Sequence, residues 1–393
     1  MNKKVSLGLT ISIAALTAAI TFIVTSFFSL QNFNQKVQAV KEKAEKYERL
    51  EALDTFIREN YYTDLDEDAL MNGMLKGYVA GLEDPYSVYL TAQEYSALLE
   101  RESGQMVGIG VTVTQSEEGY IHVIEVQKNS PAEEAGVKVD DLITAVDGAD
   151  VLETGYLESV DRVRGEEGTK VRLTVLRDGK ELNLTSERRT FDTVTVESKL
   201  LDNHIGYIRI TAFRENTPDQ FSESMDQLIA NGADALVFDV RNNGGGLLNA
   251  LESMLDPLLP EGVIATANYS DGESRTAVYS DASELDLPMA VLVNEGSASA
   301  AELFAASLRD FDKAELVGKT TFGKGVMQVT HPMEDGGGLT LTIATYQTTR
   351  SECYHGVGLI PEYEVEPGED TVLGNPDPAT DPQLAKAMEI VKN

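Results

Sequence analysis

The spacing of apolar positions changes three times along the chain. A mostly apolar, uncharged run covers residues 5–30, and apolar positions three or four residues apart then predict helices up to about residue 100. From Gly108 apolar and polar residues alternate, which predicts short strands. From residue 194 strand-like and helix-like segments follow one another, and this alternation is typical of a layered α/β domain.

The N-terminal run is long enough to cross a membrane, which takes roughly 20 apolar residues, whereas a cleavable signal usually has an apolar core of about 7–15. The nearest small-residue cleavage pattern ends at Ala39, well past the run. We therefore expect residues 1–30 to form a cytoplasmic tip and an uncleaved anchor. Lys3 and Lys4 predict that the N-terminus stays in the cytoplasm and that the rest of the chain lies outside. An unusually long signal peptide is the alternative.

The region from residue 31 to residue 100 is predicted to be helical. Apolar stripes indicate one helix at 68–79 and a shorter one at 91–99. These helices either pack on the rest of the chain or pair with a second copy, so a homodimer through this region is possible on sequence grounds. The sequence favours neither arrangement.

Residues 101–190 carry the alternating pattern. Asn129–Gly136 is a helix-start signal, with Ser130 as the cap and Pro131 at the first helical position, and Asp178-Gly179 predicts a hairpin between two strands. The order of these elements, together with the entry Gly108-Ile-Gly-Val111, resembles a PDZ domain.

The entry formed by Gly108, Ile109, Gly110 and Val111 is a candidate peptide-binding site. Its two glycines allow backbone N–H groups to converge on a carboxylate, and the strand that follows can accept a peptide as an added strand. A tight strand entry that binds no ligand is the alternative.

Composition excludes several classes of protein. The 393 residues contain 65 Asp and Glu against 32 Lys and Arg, a net charge of -33, which argues against nucleic acid as a partner. The four histidines are far apart and lack metal-ligand spacing, so neither a metal nor another cofactor is expected. With one cysteine, Cys353, the chain can form no internal disulfide.

Two predicted strands end in turns rich in small residues that lead into helices. The first turn belongs to residues 239–246 and the second to residues 294–299. Free backbone N–H groups at a helix N-terminus can stabilise a developing oxyanion. We expect the N–H groups of Gly245 and Ala300 to form such an oxyanion hole, although turn geometry alone also explains glycines at these positions.

Ser299, at the start of the second helix, and Lys324, in a turn flanked by glycines, are the candidate catalytic pair. A serine beside a neutral lysine can hydrolyse a peptide bond without a histidine. The reference pKa of lysine is about 10.4, and burial can lower it by up to roughly 3–5 units. The segment 320–327 has no acid that would keep Lys324 charged, and Gln328 can hydrogen-bond its amine. A solvated surface lysine is the ordinary alternative.

At this point the chain resembles the carboxyl-terminal processing peptidases, a family of tail-specific Ser-Lys proteases. The matching stretches are Glu83-Asp-Pro-Tyr-Ser-Val-Tyr89, the PDZ block, Gly206-Tyr-Ile-Arg-Ile210, Phe238-Asp-Val-Arg-Asn-Asn243, Gly296-Ser-Ala-Ser299 and Phe322-Gly-Lys-Gly325. The resemblance implies Ser299 as nucleophile, Lys324 as base 25 residues later (324 − 299), and Gln328 as the residue that orients the lysine. It also implies an α/β (α+β) multidomain protein with a ClpP/crotonase-like core.

The chain departs from the family pattern at two informative places. Gly244 replaces a proline in the turn before Gly245, which loosens the backbone of that oxyanion donor. The usual Thr-Pro-Ser-Gly-Arg segment reads differently at 348–353, so we assign no substrate contacts there.

The resemblance predicts a membrane-anchored bacterial serine endopeptidase that acts on proteins or peptides outside the cytoplasm. The expected domains are the anchor (1–30), the helical region (31–100), the PDZ domain (101–190), the peptidase core (191–375) and a C-terminal helix (376–393). The PDZ domain should capture substrate C-termini, with Arg164 beside the groove as a sensor of occupancy. The alternatives are a catalytically silent PDZ adaptor and a scaffold that dimerises through its helical region.

Overall fold

The computed structural model describes residues 7–281 and 284–392, and the chain divides into two compact units between Met74 and Leu75. The first unit contains α1 (Leu7–Asn60) and the start of α2 (Glu67–Ala80). The lysines at positions 3 and 4, on which the predicted orientation depends, lie outside the described residues. Pairing of the helical region with a second copy stays a prediction.

Helix α1 is a single helix of 54 residues that continues from the apolar run into the charged segment. Its stretch Ile11–Gln38 is long and apolar enough to cross a membrane, and the side chains described in it are not buried within the chain. This stretch overlaps most of the predicted run at 5–30. The helix therefore fits a membrane anchor or a signal sequence.

Three short elements open the second unit, namely β1 (Val88–Leu90), α3 (Ala92–Ser103) and β2 (Gln105–Gly108). Helix α3 begins at a reciprocal cap, because the Thr91 hydroxyl accepts the N–H of Glu94 while the Glu94 carboxylate accepts the N–H of Thr91. The capping explains why this short helix starts where the sequence predicts.

The PDZ block is a sheet with three short helices. Its elements are β3 (Val111–Gln115), β4 (Ile121–Val126), α4 (Pro131–Glu134), β5 (Leu142–Val146), β6 (Ala149–Asp150), α5 (Val151–Thr154), α6 (Tyr156–Val163), β7 (Lys170–Arg177) and β8 (Lys180–Glu187). The strand order β3-β4-β5-β7-β8 leaves β3 at an edge, and β6 pairs with β5. Alternation along the strands places residues such as Val123, Ile143 and Leu173 in a separate core. The predicted hairpin around Asp178 is confirmed.

The rest of the second unit is the α/β core. Its elements are β9 (Arg189–Asp192), β10 (Val196–Leu200), β11 (Ile205–Ile210), α7 (Thr217–Ala230), β12 (Ala235–Asp239), α8 (Leu248–Leu255), β13 (Gly262–Tyr269), β14 (Ser274–Ser280), β15 (Met289–Val293), α9 (Ala300–Asp310), β16 (Ala314–Gly318), β17 (Val326–Pro332), β18 (Gly338–Thr348), β19 (Tyr363–Glu364) and α10 (Pro382–Ile390).

A six-stranded sheet with the order β10-β11-β12-β15-β16-β19 organises this core. From β11 onward neighbouring strands are parallel, and β12 and β15 are buried along their whole length. Because β12 and β15 are adjacent and parallel, their carboxyl ends meet at one edge of the sheet. The two glycine-rich turns that follow these strands therefore come together.

A second sheet brings the remaining parts of the site to that edge. Its order is β1-β18-β13-β14, with β17 also paired to β18. The connection from β16 to β17 carries Lys324, and β1 lies antiparallel to β18, which places residues 84–90 beside the same strand.

The predicted α/β multidomain class with a PDZ domain is confirmed, while the exact domain boundaries stay a prediction. The sequence predicts a helix over residues 247–259, and the observed helix is shorter. Helix α8 ends at Leu255 and gives way to a 3-10 turn at Asp256–Leu258, because Pro257 has no N–H to continue the ladder. The strands of the second sheet were not predicted from the sequence.

Candidate active site

The turns after β12 and β15 are tied together by side chains. The Asn294 side-chain oxygen accepts the N–H groups of Asn242 and Gly296 at 2.8 and 3.0 Å. The buried hydroxyl of Ser297 donates to the carbonyl oxygen of Val240 at 2.8 Å. The start of α9 thus sits in a fixed position relative to the glycine turn.

Ser299 occupies a strained backbone conformation at the start of α9. Its φ of 55° and ψ of −118° are unusual for a residue with a side chain, and such strain costs on the order of 1–3 kcal/mol. A strained strand-to-helix turn is a known way to expose a nucleophilic serine. Ser307, further along α9, donates its hydroxyl to the carbonyl oxygen of Leu303 and is buried, as expected for a structural serine.

The buried carboxylate of Glu302 joins the Ser299 turn to the Lys324 turn. One oxygen accepts the N–H groups of Ser299 at 2.9 Å and Lys324 at 2.7 Å. The other accepts the N–H of Gly323 at 2.7 Å and the hydroxyl of Thr321 at 2.5 Å. Glu302 was not among the residues predicted from the sequence. Its signal was present, since a glutamate three residues after a serine at a helix start is a capping pattern.

Lys324 is partly buried at the site, and this desolvation lowers the pKa of its amine below the ordinary value, against the opposing charges of Asp84 and Glu302. Its Nζ lies 4.8 Å from the centre of the Tyr86 ring. Within the described residues no hydrogen bond joins Nζ to the hydroxyl of Ser299. The lysine thus has the lowered basicity that a general base needs while its side chain contacts the tyrosine.

Gln328 lies on β17 and faces Thr342 of β18. Its Nε2 donates to the Thr342 hydroxyl at 3.4 Å, which is a long hydrogen bond. No hydrogen bond in the described part of the chain links Gln328 to Lys324. Gln328 and Lys324 nevertheless line the same cleft.

The two expected oxyanion donors differ. The N–H of Ala300 has no acceptor among the described residues, whereas the N–H of Gly245 donates to the side-chain oxygen of Asn243 at 2.8 Å. Gly245 has a φ of 96°, and a Cβ added there would lie 2.8 Å from the Cβ of Ser299. The N–H groups of Gly245 and Ala300 therefore lie on adjoining segments, and the N–H of Gly245 is already hydrogen-bonded to Asn243.

These groups line a cleft of about 1020 Å³. Ser299, Lys324, Gln328 and Gly245 are on its wall, and Tyr86 and residues of α3 complete it. In the described ranges, no group of three or more His, Cys, Asp or Glu side chains is arranged to hold a metal ion.

The predicted PDZ residues lie away from this cleft, at the edge of the PDZ sheet. The N–H groups of Ile109 and Gly110 have no acceptor among the described residues, and β3, which begins at Val111, pairs only with β4. Gly110 has a φ of 81° and packs against Ser130 and Phe191, so only glycine fits there. Gly108 pairs with Arg189 at the end of β2.

Arg164 follows α6 and is largely exposed. Its nearest acid is Asp161, with the charged atoms 3.7 Å apart. The structure does not bring Arg164 to the catalytic cleft.

Sequence comparisons identify three regions of the chain. The sequence model of peptidase family S41 matches residues 204–365, a PDZ domain model matches residues 107–187, and a model described as the N-terminal domain of the activating protease CtpB matches residues 13–94.

The chain is also similar over most of its length to curated bacterial proteins. It is 34% identical over 369 residues to the carboxy-terminal processing protease CtpA of Bacillus subtilis, covering 93% of this chain and 78% of the relative. It is 33% identical over 356 residues to a probable CtpA-like serine protease of Staphylococcus aureus strain COL, covering 89% of this chain and 70% of the relative.

A solved structure supports the fold. A putative S41 protease from Bacteroides fragilis superposes with a TM-score of 0.53 at 19% identity, covering 85% of this chain and 92% of that one. The PDZ domain model shows that the chain carries a PDZ domain. The S41 model and the match to CtpA, at 34% identity over 93% of this chain, show that the chain belongs to the carboxyl-terminal processing serine peptidases of family S41.

Proposed function

We propose that the protein is a membrane-anchored serine endopeptidase that works through a Ser299–Lys324 dyad outside the cytoplasm. Ser299 attacks the substrate carbonyl, Lys324 takes the serine proton, and the same lysine returns it to the leaving amine. The observation that carries the proposal is the shared carboxylate of Glu302, which holds the backbone N–H groups of both residues within one cleft.

The surroundings of Lys324 suit a base that is neutral when it acts. Desolvation lowers its pKa, so the neutral amine becomes available at a lower pH than for an exposed lysine. Gln328, four residues further on the same cleft wall, is the proposed orienting group for this amine.

The oxyanion of the tetrahedral intermediate is assigned to the N–H groups of Ala300 and Gly245. The N–H of Ala300 has no acceptor in the described part of the chain, and a helix N-terminus favours negative charge at that position. The Gly245 group becomes available when the side-chain oxygen of Asn243 releases it. The donor pair is thus complete only after a local rearrangement of the glycine turn.

The PDZ block is assigned the capture of substrate C-termini. The N–H groups of Ile109 and Gly110, which have no acceptor within residues 7–281 and 284–392, suit a terminal carboxylate, and the outer edge of β3 can take up the preceding residues as a strand. Arg164 is the proposed sensor of an occupied groove. We expect a peptide with a free C-terminal carboxylate to bind more tightly than the same peptide with an amidated C-terminus.

The anchor is assigned to the exposed apolar stretch Ile11–Gln38, with the catalytic unit on the outer face of the membrane. Protease accessibility of the second unit in intact cells tests this orientation. Cleavage only after the cells are lysed would contradict it.

The test of catalysis is hydrolysis of an unstructured protein with an apolar C-terminus by the full-length protein in detergent. Wild type, Ser299→Ala and Lys324→Ala are compared with two controls. Ser307→Ala removes another serine of α9, and Lys319→Ala removes a lysine that pairs with Glu364 and Glu366. We expect loss of activity in the first two variants only. Activity that survives Lys324→Ala would contradict the dyad, and a wild type that binds peptide without acylation or turnover would indicate the adaptor.

A further inference from the structure

The ammonium of Lys324 rests on an aromatic ring. Its Nζ lies 4.8 Å from the centre of the Tyr86 ring, within the range of a cation–π interaction. In the described part of the chain Lys324 forms no ion pair, and its Nζ makes no hydrogen bond. Among the described residues, the interaction recorded for the charged end of this lysine is thus its contact with the Tyr86 ring.

Tyr86 is held in place by its own turn. The Asp84 carboxylate accepts the N–H of Tyr86 at 3.1 Å and the Ser87 hydroxyl at 2.5 Å. The Ser87 oxygen in turn accepts the N–H of Thr342 on β18 at 3.0 Å. This chain of hydrogen bonds fixes the ring to the strand that also faces Gln328.

The carboxylates near Lys324 are already occupied by other hydrogen-bond donors. Glu302 already accepts three backbone N–H groups and one hydroxyl, and Asp84 is engaged by its own turn. His355 lies edge-on to Tyr86 with ring centres 6.3 Å apart, and Cys353 donates to the carbonyl oxygen of Gly325. An aromatic face stabilises an ammonium group but not a neutral amine, so this contact distinguishes the two protonation states of Lys324.

We propose that Tyr86 is a positioning residue that holds the protonated lysine over its ring in the resting enzyme, and that the lysine leaves the ring to reach Ser299 once its proton passes to solvent. The proposal rests on the proposed dyad. The tyrosine makes no contact with the reacting bond and acts only through the lysine. It would thus set the pH at which the base becomes available.

The contact predicts the sign of the effect as long as the amine stays desolvated, and leucine is chosen because its apolar side chain keeps water away from the amine while removing the ring face. Because the ring favours the ammonium, its removal lowers the pKa of Lys324 and moves the acidic limb of kcat/KM to lower pH. A cation–π contact of ordinary strength corresponds to a shift of roughly 0.4 to 1.5 pH units. Tyr86→Phe keeps the ring face and should leave the limb in place.

Two measurements on the full-length protein test the proposal. The first is the pH profile of kcat/KM for wild type, Tyr86→Phe and Tyr86→Leu. The second is the pH dependence of acetylation of the Lys324 amine by acetic anhydride, read by mass spectrometry in a Ser299→Ala background, which requires no activity. Acetylation of Lys319 in the same samples reports whether the fold is intact, since that amine depends on its ion pairs with Glu364 and Glu366.

The expected result is a downward shift of both the limb and the acetylation midpoint in Tyr86→Leu, with neither moved in Tyr86→Phe. An unmoved acetylation midpoint in Tyr86→Leu, or an equal shift in both variants, would overturn the proposal. Failure of the dyad is a separate outcome, because it would leave Lys324→Ala active whatever the acetylation shows.

Discussion

The backbones of the Ser299 turn and the Lys324 turn are held by the same carboxylate, but the two side chains are positioned in different ways. Glu302 holds the backbone of both. The serine owes its exposure to its own strained backbone at the start of α9. The charged end of the lysine lies 4.8 Å from the centre of the ring of Tyr86, which is more than 200 residues earlier in the chain.

This difference indicates that the proposed nucleophile is positioned by local structure, whereas the proposed base is positioned by contact with a residue far away in the sequence. A strained helix start is rigid because turn, cap and helix enforce it together. A lysine side chain over a ring can change partner at small cost, since each contact is worth only about 0.5–2 kcal/mol. We therefore expect the serine to be preorganised and the lysine to be the adjustable member of the pair.

The largest expected effect comes from the shared carboxylate. Glu302→Ala leaves three backbone N–H groups and the Thr321 hydroxyl without their acceptor, and each buried unpaired group costs about 1–3 kcal/mol. We expect loss of most stability of the core and a fall in kcat of about 10²- to 10³-fold, because both turns lose their fixed position. Thermal unfolding and hydrolysis measure both effects.

Glu295→Ala is the matched control, because Glu295 lies in the turn that precedes α9 and is exposed. It should leave both properties near wild type. If Glu302→Ala kept wild-type stability and turnover, the two turns would not depend on a common anchor.

A smaller effect is expected on the serine side from Gly245→Ala. Its added Cβ would meet the Ser299 Cβ at 2.8 Å at a φ of 96°, so the glycine turn must move away from the nucleophile. We expect kcat to fall about 10- to 100-fold with little change in KM. Gly244→Ala, where a Cβ meets nothing within 4 Å, is the control. Equal losses in the two variants would show that close approach to Ser299 is not the cause.

The PDZ entry gives a test outside the catalytic turns. Gly110→Ala places a Cβ 2.3 Å from the Cβ of Ser130 at a φ of 81°. We expect the affinity for a peptide with a free C-terminus to fall about tenfold or more, measured by calorimetry. Gly136→Ala carries the same backbone strain, φ 84°, without a clash, and should bind more tightly than Gly110→Ala. Unchanged affinity in Gly110→Ala would remove this entry from peptide binding.

The smallest effect concerns the pH profile of the unmodified protein. Since desolvation lowers the pKa of Lys324, the neutral base is lost as pH falls through a value below the ordinary lysine value of about 10.4. We expect kcat/KM to rise with pH along an acidic limb below that value. Lys324→Arg cannot lose its proton and should stay inactive at every pH. If Lys324→Arg stayed active and its kcat/KM still fell at low pH, a group other than Lys324 would be responsible for the acidic limb.

The sequence predicted what depends on local pattern. The alternation of strand-like and helix-like segments predicted the α/β core, and the Asp178-Gly179 turn predicted the PDZ hairpin. A helix-start signal placed Ser130 at the beginning of its helix, and an apolar stripe predicted the helix that begins after Thr91. The catalytic candidates followed from the turn around Ser299 and the isolated lysine at 324, with the family resemblance fixing their spacing.

What the sequence did not reveal depends on contacts between distant segments. The role of Glu302 requires the Lys324 turn to fold back onto α9, and the role of Tyr86 requires β1 to pair with β18. The engagement of the Gly245 N–H by Asn243 depends on side-chain rotation, which no periodicity records.

The most direct test of the account is covalent labelling of the full-length protein with a serine-directed fluorophosphonate, with the labelled residue identified by mass spectrometry. Wild type, Lys324→Ala and Lys319→Ala are compared at one pH above the acidic limb. We expect Ser299 to be labelled in wild type and in Lys319→Ala, and not to be labelled in Lys324→Ala. Label on another serine, or equal labelling of Ser299 without Lys324, would contradict the claim that this lysine activates this serine.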